Sequence, residues 1–166
     1  MREVVGVMGS GGALSAEAEG LAYRLGRAIA EAGWVLLNGG RDRGVMDASA
    51  RGARETGGFV IGVLPDADAR GASAHLDVAI RTGMGDGRNY VNALSSDVIV
   101  ALPGKAGTLS EVCFALLAGR VVVALGWHPG GDELDEYLTR GQLVLADTLD
   151  EALAAVRAAL AGRDEA

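Results

Sequence analysis

The sequence predicts an α/β protein whose doubly wound, mostly parallel sheet carries helices on both faces. Two observations lead to this fold class. Short, nearly continuous apolar runs alternate with helical patterns along the chain, and strands buried on both faces have this composition. The 26 glycines cluster at the ends of those runs, where tight turns join strands to helices. With 166 residues, the chain is expected to form a single Rossmann-like domain over residues 1–166.

Each predicted strand is a short run rich in Val, Ile and Leu that stops at a residue typical of turns. The first run stops at Gly9, the second at Asn38 and the fifth at Pro103. The fourth run, at residues 76–80, matches this pattern more weakly. The predicted strands cover residues 3–8, 34–37, 59–64, 76–80, 98–102, 121–125 and 143–145.

The predicted helices carry apolar residues at helical spacing, as Leu21 and Leu25 do in the first helix. Ser15 begins that helix and Gly33 ends it. Asp147 is expected to cap the last helix. The predicted helices cover residues 15–32, 45–55, 88–95, 108–118, 133–138 and 147–160, and the segments interpreted as irregular or frayed are 65–74, 127–131 and 162–166.

Composition narrows the function classes. A net charge of −7 argues against a nucleic-acid partner, because binding of that kind depends on Lys and Arg neutralising phosphates. The single cysteine, Cys113, excludes a disulfide within the chain and is interpreted as a small core residue. His75 and His128 stand apart from other ligand-type residues, so no metal is predicted, and no bound cofactor either.

The sequence carries no sign of export or membrane insertion. Its first residues lack a signal-peptide pattern, and no apolar run reaches the roughly 18 residues of a membrane span. We therefore expect a cytoplasmic protein that does not contact a membrane.

Four glycine-rich segments follow predicted strands. Because the carboxyl ends of parallel strands meet at one edge of a sheet, these segments are expected to converge on one crevice. A nucleotide-sized site at that crevice is the functional interpretation, and four ordinary tight turns are the alternative. The segments cover residues 9–12, 39–44, 83–87 and 104–107.

The segment 103–111, PGKAGTLSE, is the strongest candidate for holding a phosphate. It lies between a predicted strand and a predicted helix, where free N–H groups and the positive end of the helix dipole attract anions. Its glycines allow close backbone approach, and Lys105 is the only lysine in the chain. The residues assigned to phosphate or nucleotide binding here are Pro103, Gly104, Lys105, Ala106, Gly107 and Thr108.

Two further turns contribute candidates. In the first turn, Ser10 and its glycines could wrap a phosphate or a base edge. It is not the dinucleotide fingerprint, because Leu14 stands where GxGxxG needs glycine, and the chain has no GxxxxGK[ST] motif. In the second turn, Arg41 is a candidate anion ligand, with a solvated loop arginine as the alternative. The residues assigned to the site from these turns are Gly9, Ser10, Gly11, Gly39, Gly40, Arg41, Gly44 and Met46.

Arg88 and Glu111 are the candidate catalytic residues. Arg88 begins a predicted helix, where the dipole disfavours a cation, so its presence indicates an anionic ligand. A surface pair with Asp86 is the alternative. Glu111 is either the acidic member of a T-x-x-E capping box with Thr108, or a carboxylate placed next to a bound sugar phosphate.

These motifs, in this order, resemble the LONELY GUY family and its relatives, which include molybdenum-cofactor carrier proteins and proteins once labelled possible lysine decarboxylases. The family pattern PGGxGTxxE matches residues 103–111, and its pattern GG-x-x-x-G-(hydrophobic)-M matches residues 39–46. The family's arginine, fifteen residues before the motif proline, matches Arg88. The resemblance extends over residues 3–160 and implies a Rossmann-like fold and a homodimer.

The resemblance implies hydrolysis of a nucleoside 5′-monophosphate to free base and ribose 5-phosphate. Arg88 would then orient the nucleotide, Glu111 would stabilise an oxocarbenium-like ribose, and residues 104–108 would hold the phosphate. The alternative is a noncatalytic carrier of the molybdenum cofactor, another phosphorylated pterin or a nucleotide. A nucleotide sensor that acts through partners is a third interpretation.

The chain departs from the hydrolase pattern at three positions. Asn89 stands where the hydrolases usually have lysine, Lys105 where they have glycine, and Ser110 where they have an acid. A lysine decarboxylase is not predicted, because a pyridoxal enzyme needs a Schiff-base lysine and the one lysine here lies in a phosphate loop.

Overall fold

The computed structural model describes residues 1–162, so residues 163–166 of the predicted frayed tail lie outside the described part. The strands are β1 Val4–Met8, β2 Val35–Asn38, β3 Phe59–Leu64, β4 Val78–Arg81, β5 Val98–Ala101, β6 Val121–Leu125 and β7 Leu143–Ala146. The helices are α1 Ala16–Glu31, α2 Gly44–Glu55, α3 Arg88–Ser95, α4 Ala106–Leu117, α5 Asp135–Thr139 and α6 Leu149–Ala161. Short 3₁₀ turns at Gly85–Gly87 and Asp132–Leu134 precede α3 and α5.

The strands form one parallel sheet in the order β4-β3-β2-β1-β5-β6-β7. The chain adds strands outward from β1 to β4, then returns to place β5 on the other side of β1. The direction of winding therefore reverses between β1 and β5, and ligands of doubly wound folds bind at such a point. The predicted Rossmann-like fold class is confirmed.

Helices cover both faces of this sheet. Along β5, Val98 and Val100 pack into a core cluster with residues of α1, α2 and α6. Ile99 and Ala101 point the other way, into a cluster with residues of α3 and α4. Because successive side chains of a strand face opposite sides, an unbroken apolar strand feeds both cores. In the part of the chain described, no helix is long and apolar enough to cross a membrane.

Of the two alternatives for Glu111, the capping box at the start of α4 does not form. The helix begins at Ala106, with Lys105 at the N-cap position and no side-chain cap hydrogen bond. Thr108 therefore lies inside the first turn, where its side chain is buried and packs over Gly104. Because the Thr108 side chain packs here, it does not cap the helix, and the Glu111 side chain is not engaged in a capping box.

The predicted cap of the last helix is wrong by one residue. Thr148, not Asp147, is the N-cap of α6. The Thr148 hydroxyl accepts a hydrogen bond from the Glu151 N–H at 3.2 Å, and the Glu151 carboxylate accepts from the Thr148 N–H at 3.1 Å. This reciprocal pair is the capping box that the spacing of Thr148 and Glu151 specifies.

Candidate functional site

A cleft of about 390 Å³ opens at the carboxyl ends of the strands, beside the reversal point between β1 and β5. All four glycine-rich segments predicted to converge contribute residues to its lining. A cleft of this size suits a small-molecule ligand. The sequence prediction of one shared crevice therefore agrees with the structure.

Backbone hydrogen bonds tie the three loops nearest the reversal point together. The Ser10 N–H donates to the Pro103 carbonyl at 3.2 Å, and the Val45 N–H donates to the Ser10 carbonyl at 2.9 Å. Gly44, at the start of α2, has a φ of +60° and lies so close to the Ser10 carbonyl that a side chain would overlap it. The loop after β1 is thereby fixed between α2 and the loop after β5.

The Arg88 guanidinium lies mostly buried at one wall of the cleft. Its Nη1 donates to the Val63 carbonyl at 2.8 Å, while its buried Nε has no hydrogen-bond partner among residues 1–162. Burial lowers the pKa of Arg88, and the negative charge of Glu111 opposes that shift. Arginine stays protonated in proteins despite such shifts. Within the described chain Arg88 forms no ion pair, so the surface pair with Asp86 is absent.

Glu111 is buried, with 6% of its surface exposed, and it lines the same cleft as Arg88. Its Oε1 accepts a hydrogen bond from Asn92 Nδ2 at 2.7 Å. Burial raises the pKa of Glu111 to about 7, although the Asn92 hydrogen bond and the Arg88 charge each lower it. A carboxyl group with such a pKa changes its charge near neutral pH, as catalytic acids and bases do.

The start of α4 supplies a site for an anion. No side chain caps this helix end, and the first turn of a helix leaves backbone N–H groups free. Lys105 is exposed at the N-cap position, lines the cleft and forms no ion pair with the described residues. A phosphate at this end would meet both the helix dipole and a free ammonium group.

The structure separates the predicted site residues into two groups. Those that line the cleft are Gly9, Ser10, Gly11, Gly39, Arg41, Met46, Arg88, Lys105, Gly107, Thr108 and Glu111. Those that do not line it are Gly40, Gly44, Pro103 and Gly104, whose contacts shape its walls, and Ala106, which begins α4. Gly40, for example, uses its N–H to donate to Asn38 Oδ1 at 2.8 Å.

Arg41 lines the cleft, but protein groups already occupy its guanidinium. It forms an ion pair with Asp66 and donates to the Arg70 carbonyl at 2.7 Å. Both partners come from the loop after β3, which the sequence pattern could not place next to Arg41. The neighbouring Arg43 lines the cleft without an ion pair in the described chain.

Sequence reasoning did not include two asparagines of α3 in the site. Asn89 lines the cleft and donates to Ser110 Oγ at 3.0 Å, while Asn92 is the hydrogen-bond partner of Glu111. The spacing in the sequence could have indicated Asn92, because it lies four residues after Arg88 and therefore on the same face of the helix.

Among residues 1–162, no group of three or more His, Cys, Asp or Glu is placed to hold a metal ion.

Residues 2–153 match the SLOG cluster4 family. The chain belongs to this family. This SLOG cluster4 protein is also 32% identical over 155 residues to a cytokinin riboside 5′-monophosphate phosphoribohydrolase of Mycobacterium marinum. That match covers 81% of this chain and 83% of the relative.

Two solved structures extend the comparison to the fold. The molybdenum cofactor binding protein of Rippkaea orientalis superposes with a TM-score of 0.89 and 38% identity, covering 96% of this chain and 98% of that one. The molybdenum cofactor carrier protein of Chlamydomonas reinhardtii superposes with a TM-score of 0.88 and 42% identity, covering 97% of this chain and 99% of that one. The SLOG cluster4 protein is therefore similar both to named phosphoribohydrolases and to named carriers, and the resemblance stated from the motifs is confirmed.

Proposed function

We propose that this protein binds a nucleoside 5′-monophosphate in the cleft and hydrolyses its N-glycosidic bond to give free base and ribose 5-phosphate. One observation carries the proposal: Arg88 and Glu111 face the same cleft, next to the uncapped start of α4 and Lys105. The M. marinum relative named as a phosphoribohydrolase supports this choice of reaction.

In the proposed reaction the bond between C1′ of the ribose and the base nitrogen breaks, and its electron pair leaves with the base. Positive charge develops on the ribose ring, where the ionised Glu111 carboxylate stabilises it. A buried carboxylate acts strongly on such a charge because little water screens it. Water then adds to C1′, and the proton it releases is balanced by the proton that the departing base takes up.

The positively charged groups of the cleft would bind and orient the nucleotide. The start of α4 and Lys105 hold the 5′-phosphate, as in other helix N-terminal anion sites. Arg88 lines the cleft, and its Nη1 is held on the Val63 carbonyl, so its positive charge is fixed in place to attract and orient the anionic nucleotide.

A second candidate function is a carrier of a phosphorylated pterin, with the molybdenum cofactor as cargo. The nearly full-length similarity to two proteins named for that cofactor supports it. So do Asn89 and Lys105, which replace the lysine and glycine usual in the hydrolases. The same cleft and the same phosphate contacts would serve a carrier, without bond cleavage.

One experiment separates the two candidates. The purified protein is incubated with AMP and related monophosphates, and release of base and ribose 5-phosphate is measured, with Glu111→Gln as the control. Release that is lost in the variant supports the hydrolase. Absence of release, together with pterin absorbance in the purified protein or uptake of added molybdenum cofactor, supports the carrier.

We also propose a homodimer, as the family resemblance implies. Exposed apolar side chains on α3 and α4 fit such an interface: Tyr90 is 49% exposed, Leu94 36% and Leu117 75%. Light scattering on the purified protein measures the mass in solution, and a monomer of 16.9 kDa would contradict this proposal.

A further inference from the structure

Two side-chain hydrogen bonds join helix α3 to helix α4 beside the cleft. Asn89 Nδ2 donates to Ser110 Oγ at 3.0 Å, and Asn92 Nδ2 donates to Glu111 Oε1 at 2.7 Å. The second bond is the deeper one, because Asn92 has no exposed surface and Glu111 is 6% exposed. A hydrogen bond to an ionised group is stronger away from water, so this contact controls where the carboxyl group lies.

The Asn92 contact leaves the two carboxyl oxygens of Glu111 in different surroundings. Oε1 is held by Asn92, and in the described chain Oε2 has no hydrogen-bond partner. Oε2 does not belong to the fully buried unpartnered atoms, and Glu111 lines the cleft, so Oε2 is accessible from it. Asn92 therefore fixes which oxygen a ligand meets.

The other half of the Asn92 amide is unsatisfied. Its Oδ1 is buried and has no hydrogen-bond partner among residues 1–162. A buried carbonyl in this state costs free energy and calls for an explanation. A protonated Glu111 could pair this atom, since its O–H could donate to Oδ1 after the amide turns by half a rotation, with Nδ2 then taking the unpaired place. An asparagine thus matches both protonation states of the carboxyl group, which a purely donating side chain would not.

We propose that Asn92 is a positioning residue for Glu111: it donates to the carboxylate, accepts from the carboxylic acid after a half-turn of its amide, and in both states keeps Oε2 facing the cleft. The link to turnover rests on the proposed function, whereas the effect on Glu111 itself does not. Arg88 is the charged group that acts on Glu111 directly, and the other charged groups lining the cleft are Arg41, Arg43, Asp86 and Lys105.

The test follows the protonation of Glu111 itself by NMR. The protein is labelled with ¹³C at the glutamate side-chain carboxyls, Glu111→Gln assigns the signal by its loss, and the midpoint is measured from pH 5 to 9 in wild type and Asn92→Leu. Leucine has a similar branched shape at Cγ but no hydrogen-bonding group. We expect it to raise the midpoint by up to about one pH unit, because the bond that Asn92 donates to the charged carboxylate is stronger than the bond it accepts from the neutral acid, so its loss disfavours the carboxylate more.

Ser96→Ala is the matched control. Ser96 is also fully buried near the end of α3, and its hydroxyl donates to the Asn92 backbone carbonyl at 2.8 Å. Its loss removes a buried hydrogen bond without touching the carboxyl group, so the Glu111 midpoint should stay at the wild-type value. An equal shift in Ser96→Ala and Asn92→Leu would assign the effect to general loosening of α3 and overturn the proposal.

Two further readouts complete the test. The side-chain NH₂ signals of Asn92 should shift with the same midpoint as Glu111 and lose that transition in Glu111→Gln; constant signals would refute the half-turn. If Asn92→Leu does not fold, Asn92→Asp takes its place. The carboxyl groups of the introduced aspartate and of Glu111 should then lose their protons in two coupled steps, and the step at the higher pH should lie above the wild-type midpoint of Glu111. A wild-type midpoint in either variant overturns the positioning role.

The titration also keeps this proposal separate from the proposed function. If the wild type hydrolyses no nucleotide but the Glu111 midpoint moves in Asn92→Leu, the hydrolase fails and the positioning role stands. If hydrolysis occurs, its pH profile should move upward in Asn92→Leu with KM unchanged. Hydrolysis with an unmoved profile and an unmoved midpoint leaves the hydrolase in place and removes Asn92 from it.

Discussion

Arg88 at the start of α3 and Glu111 in α4 line the same cleft, and burial disfavours the charged form of both. The pKa of the arginine is lowered and that of the carboxyl group is raised to about 7, while each charge partly offsets the shift of the other. Two desolvated opposite charges without an ion pair between them are costly for stability. Perturbed groups of this kind cluster at functional sites.

Glu111→Gln should lower turnover of nucleoside monophosphates by about 100-fold or more, because the charge that stabilises the ribose cation is removed. The amide keeps the size of the carboxyl group, so affinity for AMP should change little. Base release measures the first quantity and calorimetry the second. Glu31→Gln, at an exposed i,i+4 pair with Arg27 on α1, is the control expected to keep wild-type turnover. Equal turnover in both variants would remove Glu111 from the reaction.

The pH dependence of kcat/KM should follow the ionisation of Glu111. The carboxylate is the active form in the proposed reaction, and the pKa of Glu111 is raised to about 7. Activity should therefore rise about tenfold per pH unit below that value and level off above it. A profile measured with AMP between pH 5 and 9 tests this, and activity that falls as the pH rises through 7 would assign the acid form instead.

The free energy of unfolding should fall as the pH rises, whereas a salt-bridged carboxylate would make it rise. The pKa of Glu111 is about 7 in the fold and about 4.5 as a free side chain, so between these values the folded protein binds the extra proton. Wild-type stability should then fall, relative to Glu111→Gln, as the pH rises from 4.5 through 7, by up to about 3 kcal/mol. Urea unfolding of both proteins at pH 4.5, 6 and 8 measures the difference, and a constant gap would contradict the raised pKa.

Lys105→Ala should weaken binding of phosphorylated ligands and leave nucleosides nearly unaffected. The ammonium group is exposed at the uncapped start of α4, so it acts as a flexible charge and its loss should cost about tenfold in AMP affinity. The loss should shrink at high salt. Arg140→Ala, which breaks an exposed pair with Glu136 on α5, removes the same charge elsewhere and should bind AMP like the wild type. A loss of adenosine binding equal to that of AMP would place Lys105 outside the phosphate site.

The fold and the place of the site could be predicted because both depend on patterns that are local in the chain. Apolar strands that end in glycine specify a parallel sheet, and its topology then brings the strand ends together. The role of Glu111 could not be read from spacing alone, since a T-x-x-E pattern suits a helix cap equally well. Tertiary contacts exclude the cap: Thr108 packs over Gly104, and Glu111 accepts a hydrogen bond from Asn92. The ion pair between Arg41 and Asp66 likewise depends on a loop that lies 25 residues away in the sequence.

Gly39→Ala should weaken ligand binding with little loss of the fold. A methyl group at this position would overlap the Arg88 guanidinium and lie 2.6 Å from Met46 Sδ. Both neighbours are ends of side chains, so the backbone can stay in place while Arg88 moves out of its position against the Val63 carbonyl. Affinity for AMP should then fall as far as in Arg88→Ala, since either change removes the same donor from the cleft.

Gly20→Ala is the control for this substitution. Gly20 lies inside α1, away from the cleft, and a methyl group there would meet the flexible Arg24 side chain at 3.3 Å. Alanine favours a helix over glycine by about 1 kcal/mol, so this variant should be slightly more stable and bind AMP normally. Thermal unfolding and AMP titration of both variants give the answer. Normal AMP binding by Gly39→Ala, with Arg88→Ala impaired, would mean that the guanidinium reaches the ligand from a position other than the one it holds against Gly39.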